Sequence, residues 1–236
     1  MYDIVLFDLD GTLTDSAPGI TNSVAYALQH WGIEVEDKSQ LRPFIGPPLR
    51  ESFQKFYGFS EEDAELAVKY YREVFSVKGL FENSVYEGIP ELLEKIKASG
   101  RKIVLATSKP EVFAVRILEH FGLAPYFDLT AGAVMDGTRD SKASVITYAL
   151  QQFGLTAEAL AAEAGIPADS PEAAALLDAA KEKVIMVGDR EHDVLGAAEN
   201  DLACIGVLYG FGDRAELEAA GAKYIAETPA DILQYL

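Results

Sequence analysis

The chain of 236 residues has few side chains that bind soft metals or form covalent links: one cysteine and three histidines. A lone cysteine forms no internal disulfide, and Cys204 lies in the apolar run 203–207, which is typical of a small buried hydrophobic residue. The histidines stand far apart in the sequence, at His30, His120 and His192, with no cysteine cluster beside them. The sequence therefore argues against a disulfide scaffold and against a zinc site.

Positive charge and long apolar segments are also scarce. The chain has 20 Lys plus Arg against 38 Asp plus Glu, a net charge of -18, and such a field repels nucleic-acid phosphates and anionic lipid. No stretch approaches the about 20 apolar residues of a membrane helix. The first residues, Met1-Tyr2-Asp3-Ile4, lack the basic segment of a signal peptide. We therefore expect a cytoplasmic protein that binds neither nucleic acid nor membrane, and that binds an anionic small molecule only where local cations and metal outweigh its charge.

Short apolar runs alternate with helical patterns through most of the chain. The predicted strands are 4–7, 103–106, 127–130, 184–187, 203–207 and 223–225. The predicted helices between them are 89–99, 112–121, 141–153 and 194–199. Continuous rather than alternating apolarity is typical of strands that are buried on both faces, as in a parallel sheet covered by helices. The sequence therefore predicts an α/β fold with a doubly wound, mostly parallel sheet and a Rossmann-like core.

Residues 16–86 interrupt this alternation, because helical patterns cover 18–31, 49–57 and 60–77 with no strand between them. We interpret 16–86 as an all-helical cap domain inserted into an α/β core that consists of 1–15 and 87–236. A second irregular segment, 155–180, is rich in Ala and contains five acids and no Lys or Arg. It is interpreted either as a lid or partner element or as a solvated surface insertion.

Two carboxylates follow the first predicted strand, at Asp8 and Asp10, and the turn Gly11-Thr12 comes after them. Because the carboxyl ends of parallel strands face the ligand crevice, both acids should point there. An Asp nucleophile can form an acyl phosphate, a neighbouring Asp can move protons, and amides of the Gly11 turn can hold phosphate oxygens. Taken alone, the pattern Asp-x-Asp-Gly is also compatible with an ordinary loop.

Three further groups of polar residues stand at the end of a predicted strand or at the start of a predicted helix. Thr107 and Ser108 end the second predicted strand and can donate hydrogen bonds to a phosphate. Lys142, at the start of a helix, can neutralise phosphate charge and restrain the nucleophilic carboxylate. Asp189 follows the fourth strand through a glycine, and Asp193 lies one helical turn further on. The hard oxygens of these carboxylates suit Mg²⁺.

The order and spacing of these four signals resemble the haloacid dehalogenase superfamily, and within it the phosphoglycolate phosphatase-like hydrolases. The matching motifs are Asp8-Leu9-Asp10-Gly11-Thr12-Leu13-Thr14-Asp15-Ser16, Thr107 or Ser108, Lys142, and Gly188-Asp189-Arg190-Glu191-His192-Asp193. The resemblance covers nearly the whole chain, including the helical cap, and only 155–180 is longer than the usual link. It implies a Mg²⁺-dependent phosphatase that hydrolyses a small phosphorylated metabolite through an aspartyl-phosphate intermediate. The leading substrates are phosphoglycolate and a nucleoside 5′-monophosphate.

The resemblance also implies a role for each motif residue. Asp8 would attack phosphorus, and Asp10 would protonate the leaving oxygen and then activate water. Mg²⁺ would be held by the Asp8 side chain, the Asp10 backbone carbonyl and Asp189, while Asp193 would order these ligands without binding the metal itself. The transferring group would be held by Thr107 or Ser108, the Gly11 turn and Lys142.

The cap should select the substrate. Arg50 follows Gly46-Pro47-Pro48 in the first turn of a predicted helix, and in similar proteins this loop faces the active site, where an arginine can bind a second anionic group. Lys109, next to Ser108, is a further candidate for substrate binding. Several cap aromatics are interpreted as cap core rather than as a base-stacking pocket: Phe44, Phe53, Phe56, Tyr70 and Tyr71.

Other functions stay open on the sequence alone. A sugar phosphomutase of the same superfamily would use the same two aspartates, whereas Asp10 argues against dehalogenation, which needs no acid at that position. Phosphonate hydrolysis would need a cap lysine, and neither Lys38 nor Lys55 has a supporting pattern. A non-catalytic binding protein is the alternative from another class, and the complete motif set argues against it. We expect a monomer or a weak homodimer.

Overall fold

Six parallel strands form the main sheet of the computed structural model, which describes residues 1–236. A separate two-stranded sheet is formed by β2 and β3. In chain order the strands are β1 (Ile4–Phe7), β2 (Thr14–Asp15), β3 (Ser84–Val85), β4 (Lys102–Pro110), β5 (Leu129–Ala133), β6 (Val184–Gly188), β7 (Ala203–Val207) and β8 (Tyr224–Ala226).

The strand order of the main sheet is β5-β4-β1-β6-β7-β8, and every neighbouring pair is parallel. Ile4 of β1 lies beside Lys102 of β4 and Val184 of β6. The chain passes from β1 outward through β4 and β5, then crosses back to β6 on the other side of β1. This reversal makes the carboxyl end of β1 a topological switch point, where open α/β sheets bind their ligands.

Ten α-helices surround the sheet or lie in the cap. They are α1 (Ala17–Gln29), α2 (Leu49–Tyr57), α3 (Glu61–Phe75), α4 (Ile89–Ala98), α5 (Glu111–His120), α6 (Lys142–Gln152), α7 (Ala157–Ala164), α8 (Pro171–Lys181), α9 (Glu191–Ala198) and α10 (Arg214–Ala220). Short 3₁₀ helices cover Lys38–Phe44, Gly79–Phe81, Ala124–Tyr126 and Pro229–Tyr235. None of the helices is both long enough and apolar enough to cross a bilayer.

Hydrophobic side chains of each central strand alternate between two core clusters. Val5 and Phe7 belong to the larger cluster, whereas Leu6 between them belongs to the smaller one. Successive side chains of a strand point to opposite faces, so the clusters cover the two faces of the sheet. Such a sheet, buried on both faces, explains the continuous apolar runs in the sequence, and the predicted fold class is confirmed.

The helical segment α1–α3 leaves and rejoins the core through the two-stranded sheet. Thr14 pairs with Val85 and Asp15 with Ser84, in antiparallel register. These backbone bonds bring the two ends of the segment together, as a cap on a pair of hinges requires. The three predicted cap helices match α1, α2 and α3 to within two residues at each end. The exact division into 1–15 and 87–236 against 16–86 stays a prediction.

Some sequence expectations differ from the structure in position. The strand predicted at 127–130 is β5, Leu129–Ala133, because its small residues pair with β4 and its three last residues are buried. The strand predicted at 223–225 is β8, one residue further on. The segment 155–180 forms the helical pair α7 and α8, which pack on each other, and none of its residues lines the cavity described below.

Candidate active site

The first carboxylate lies at the end of the central strand. The Asp8 amide donates to the Val187 carbonyl at 3.0 Å, so sheet pairing continues into this residue and fixes its backbone. Gly11 follows in a left-handed conformation, with φ of 86°, and its amide donates to the Thr14 carbonyl at 2.8 Å. A Cβ at Gly11 would lie 2.1 Å from Oδ2 of Asp189. Only glycine therefore lets this turn approach the other carboxylate so closely.

Lys142 joins two of the predicted site carboxylates. Its Nζ lies 2.8 Å from Oδ1 of Asp8 and 2.8 Å from Oδ1 of Asp193, and it donates to the Ala106 carbonyl at 3.0 Å. Burial lowers the pKa of Lys142, but the carboxylates of Asp193 and Asp8 raise it more, so its net pKa lies above the ordinary value. The amine therefore stays charged at neutral pH and compensates part of the negative charge of the site.

Asp189 is fully buried and touches no cation. Its Oδ1 accepts from the Thr12 hydroxyl at 3.2 Å, and its Oδ2 accepts from the Phe211 amide at 2.8 Å. Burial raises the pKa of this carboxyl well above its usual range, and the charges of Asp193 and Asp8 raise it further. Burial likewise raises the pKa of Asp8, although Lys142 opposes the shift.

The three carboxylates of Asp8, Asp189 and Asp193 form one cluster, with one oxygen of each lying within 4.8 Å of the others. When all three are ionised, Lys142 compensates one of their charges and leaves two negative charges buried together. An uncompensated buried charge is costly, and a divalent cation would neutralise this pair. The donor set, all hard oxygens, fits Mg²⁺.

Strand β4 carries the hydroxyls predicted to hold a phosphate. Thr107 is buried, and its hydroxyl accepts from the Lys109 amide at 3.2 Å. Ser108 lines the cavity beside it. The register of β4 against β5 slips between Thr107 and Pro110, and this irregularity turns consecutive side chains of the strand end into the site.

Lys109 makes a contact that its place in the sequence did not indicate. Its Nζ lies 2.9 Å from Oδ1 and 2.6 Å from Oδ2 of Asp10, and both side chains are largely buried. The same ammonium lies 4.8 Å from the centre of the Phe75 ring, which belongs to the cap. Lys109 thus connects the second carboxylate of the site to the cap.

Several of these groups line a cavity of about 280 Å³ between core and cap, whereas Asp189 and Gly11 are not among its lining residues. The core contributes Asp8, Asp10, Thr107, Ser108, Lys109, Lys142 and Asp193. The cap contributes Phe44, Leu49, Arg50, Val68, Tyr71, Arg72 and Phe75. Of the predicted cap aromatics, Phe53 is fully buried in the core cluster, whereas Phe44 and Tyr71 lie at the cavity wall. The Arg50 guanidinium is half exposed and lies 3.7 Å from Glu61 and 3.8 Å from Glu65.

Two neighbours of the carboxylate cluster were given no role from the sequence. Arg190 donates through Nη1 to the Ile45 carbonyl of the cap at 3.0 Å and through Nε to Glu216 at 2.7 Å. Gly210 approaches the cluster so closely that a Cβ there would lie 2.4 Å from the Cβ of Asp189. Its signal in the sequence is Gly-Phe-Gly just after the carboxyl end of β7.

Comparison with known proteins places the chain in a family. The sequence model of the haloacid dehalogenase-like hydrolase family matches residues 2–201. Because this match covers most of the chain, the chain belongs to the haloacid dehalogenase-like hydrolase family and is an enzyme of that class. The family predicted from the four motifs is confirmed.

Individual relatives resemble the chain over its length. A 5′-nucleotidase from Pseudomonas aeruginosa is 46% identical over 235 residues, which are 100% of this chain and 96% of that protein. Tyrosine-protein kinase PtkA from Mycobacterium tuberculosis is 39% identical over 209 residues, covering 89% of this chain and 63% of PtkA. The crystal structure of a predicted phosphatase from Clostridium acetobutylicum superposes with a TM-score of 0.86 at 46% identity, covering 100% of this chain and 98% of that one.

Proposed function

We propose that the chain is a Mg²⁺-dependent phosphatase that hydrolyses a small phosphate monoester through an aspartyl-phosphate on Asp8. The observation that supports this proposal best is the cavity wall itself. It combines an ion-paired carboxylate at Asp8, a second carboxylate at Asp10 and the cation of Lys142. This set provides a nucleophile, a proton carrier and charge compensation for a phosphoryl group.

In the first step, a carboxylate oxygen of Asp8 forms a bond to phosphorus while the bond from phosphorus to the leaving oxygen breaks. Asp10 donates a proton to that oxygen, and the alcohol departs. In the second step, Asp10 takes a proton from water as the water oxygen attacks phosphorus, and inorganic phosphate and free Asp8 result. Lys142, Thr107, Ser108 and the Gly11 turn hold the phosphoryl oxygens through both steps.

Asp8, Asp189 and the Asp10 carbonyl would hold Mg²⁺, and Asp193 would fix these ligands from behind through Lys142 and the Arg190 amide, which donates to its Oδ2 at 3.1 Å. When bound, Mg²⁺ supplies electrostatic stabilisation of the charge on the transferring group. The remaining contributions come from the chain, which positions the nucleophile and excludes water under the cap formed by 16–86. We propose that this cap opens for exchange of substrate and product.

Phosphoglycolate and a nucleoside 5′-monophosphate are the substrates that we consider first, and the relative named 5′-nucleotidase favours the second. The test is phosphate release from a panel of phosphate monoesters, with Mg²⁺ and with chelator. We expect turnover that requires Mg²⁺, and no turnover by Asp8→Asn. Phosphate release by Asp8→Asn at the parent rate would overturn the mechanism. A phosphomutase would instead require a bisphosphate activator and release little phosphate.

A further inference from the structure

Two adjacent residues near the end of α3, Tyr71 and Arg72, line the cavity from the cap. The phosphoryl-transfer machinery lies on the core side of the same cavity, at Asp8 and Asp10. A phosphate bound there therefore has its leaving group on the side of the cavity that the cap covers. None of the roles proposed above uses either cap residue.

Arg72 is partly buried, yet its guanidinium has no ion pair and no hydrogen bond within the chain. The other partly buried arginines behave differently. Arg101 donates to two backbone carbonyls, Arg139 pairs with Glu111, and Arg190 pairs with Glu216. A chain with 38 acidic side chains does not lack partners for one arginine. A charge taken partly out of water without a partner is costly, which is typical of a group whose partner is a ligand.

Tyr71 strengthens this interpretation. Its side chain is 5% exposed, and its hydroxyl likewise makes no hydrogen bond within the chain. Burial raises the pKa of this phenol well above its ordinary value, and the charge of Asp10 raises it further, so the hydroxyl stays protonated and able to donate. The ring is buried, but the hydroxyl is not among the fully buried polar atoms that lack a partner, so it remains accessible to a ligand in the cavity. Two neighbouring donors without partners thus line the same wall.

Apart from Arg50, the remaining cap side chains at the cavity are apolar. Phe44, Leu49, Val68 and Phe75 line the cavity, and Phe113 of the core adds a further ring. Such a surface suits the carbon skeleton of a leaving group better than a fully hydrated anion. The wall therefore combines an apolar surface for the leaving group with two donors for one acceptor group on it.

On the basis of the proposed phosphatase activity, we infer that Arg72 and Tyr71 determine specificity by binding a hydrogen-bond acceptor on the leaving group, remote from the phosphate. The guanidinium can donate two parallel hydrogen bonds to a carboxylate or to the O6 and N7 edge of a purine. These two ligands share one chemistry, a pair of adjacent acceptors. Leaving groups that lack such acceptors would not form hydrogen bonds with Arg72 and Tyr71.

The experiment compares matched substrate pairs that differ at the acceptor. Phosphoglycolate carries a carboxylate that ethyl phosphate lacks. Inosine 5′-monophosphate carries an O6 acceptor that adenosine 5′-monophosphate replaces with an amino donor, and the neighbouring N1 changes from donor to acceptor at the same time. Arg72→Met should lower the kcat/KM ratio within one of these pairs by roughly 10- to 100-fold, as expected for a lost charged hydrogen bond. The loss should appear mainly in KM. The pair that responds identifies the acceptor as a carboxylate or a purine edge.

Matched variants distinguish a loss of substrate specificity from the effects of a lost charge or of unfolding. Lys69→Met removes one positive charge from the same helix at an exposed position outside the cavity and should leave both ratios unchanged. Arg72→Lys keeps the charge but loses the planar pair of donors, so it should restore little. Tyr71→Phe should lower the same ratio by a smaller factor. Arg72→Gln and thermal unfolding check that the Arg72 variants remain folded.

The inference is overturned if Arg72→Met and Arg72→Gln lower kcat/KM equally for both members of each pair, or not at all. Failure of the proposed function is recognised separately, by the absence of phosphate release from phenyl phosphate. In that case, calorimetric titration of parent and Arg72→Met with phosphoglycolate and inosine 5′-monophosphate decides the question. Weaker binding of one ligand to the variant supports the assignment, and equal binding or the absence of binding to both proteins overturns it.

Discussion

Lys109 holds both carboxylate oxygens of Asp10, with its Nζ 2.9 Å from Oδ1 and 2.6 Å from Oδ2. Both side chains are at most 13% exposed, so solvent screens the pair weakly. The contact fixes the carboxylate that we assign to proton transfer. Because we assign Asp10 to protonation of the leaving oxygen, we expect that oxygen to approach the same carboxylate and to share or displace the Lys109 ammonium.

A double-mutant cycle tests this pair. Lys109→Met and Asp10→Asn each remove one partner and leave the other without compensation, so each should lower the free energy of unfolding. The double variant should recover part of the loss, with a coupling energy of about 1 to 3 kcal/mol. Denaturant unfolding in chelator measures all four proteins. Additive effects of the two substitutions would show that the pair contributes nothing.

Lys142 gives a second prediction because its ammonium pairs with Asp8 and Asp193 at the same time. Lys142→Met removes the single cation among three buried carboxylates, so these repel one another and the nucleophile loses its restraint. We expect phosphate release to fall by at least about 100-fold. Lys181→Met, which removes a largely buried lysine that pairs with Asp201 and lies outside the cavity, is the control and should retain full activity. An active Lys142→Met enzyme would contradict the assignment.

The sequence predicted the elements whose signal is local. Continuous apolar runs located β1, β6 and β7, since these strands lie inside the sheet and both faces are covered. It missed β2 and β3, because two-residue strands have no periodicity and form only when tertiary contacts bring 14–15 beside 84–85. It displaced β5, whose Thr-Ala-Gly-Ala sequence carries little apolar signal and takes its position from pairing with β4.

The residues of the site likewise fall into those that the sequence reveals and those that only the fold reveals. Carboxylates that directly follow strands were recognisable, because strand ends point to the crevice whatever the rest of the chain does. Contacts that depend on distant packing were not recognisable. The pairing of Lys109 with Asp10, the approach of Gly210 to Asp189 and the unpartnered Arg72 all require the three-dimensional arrangement of cap and core.

Metal dependence of stability gives a third prediction. Asp8, Asp189 and Asp193 are buried together, so a bound divalent cation should stabilise the folded protein by about 2.7 kcal/mol at a concentration 100 times its dissociation constant. Asp189→Asn removes one charge from the cluster. In chelator it should be at least as stable as the parent, and it should lose the response to Mg²⁺. Thermal unfolding with and without Mg²⁺ measures both effects, and an unchanged Mg²⁺ response in the variant would contradict the ligand assignment.

The turn at Gly11 gives a fourth prediction, with a matched control. Gly11 and Gly100 have nearly the same left-handed backbone, with φ of 86° and 83°. A Cβ at Gly11 would meet Asp189, whereas a Cβ at Gly100 would meet nothing within 4 Å. Both alanine variants should lose about 1 kcal/mol or more of stability through backbone strain. Only Gly11→Ala should lose roughly 100-fold in activity, since it displaces a carboxylate of the site. Equal activities would show that the clash is harmless.

The fifth prediction concerns the link between cap and core. Arg190 follows Asp189 in sequence, and its guanidinium donates to the Ile45 carbonyl of the cap and to Glu216 of α10. Gly46 of the cap lies against the same side chain, and a Cβ there would be 3.7 Å from the Arg190 Cγ. The residue next to a proposed metal ligand therefore holds the loop that leads into α2.

Arg190→Met should release this loop while leaving the carboxylates in place. We expect faster hydrogen exchange of backbone amides in 44–50 and a lower kcat/KM, by roughly tenfold or more, for a lost charged hydrogen bond. Because a closing element affects both binding and turnover, kcat and KM should change together. Arg214→Met is the control, since Arg214 lies on α10, is exposed and pairs only with Glu218 and Glu227. Faster exchange in 44–50 without any loss of activity would show that the link stabilises the cap but does not serve catalysis.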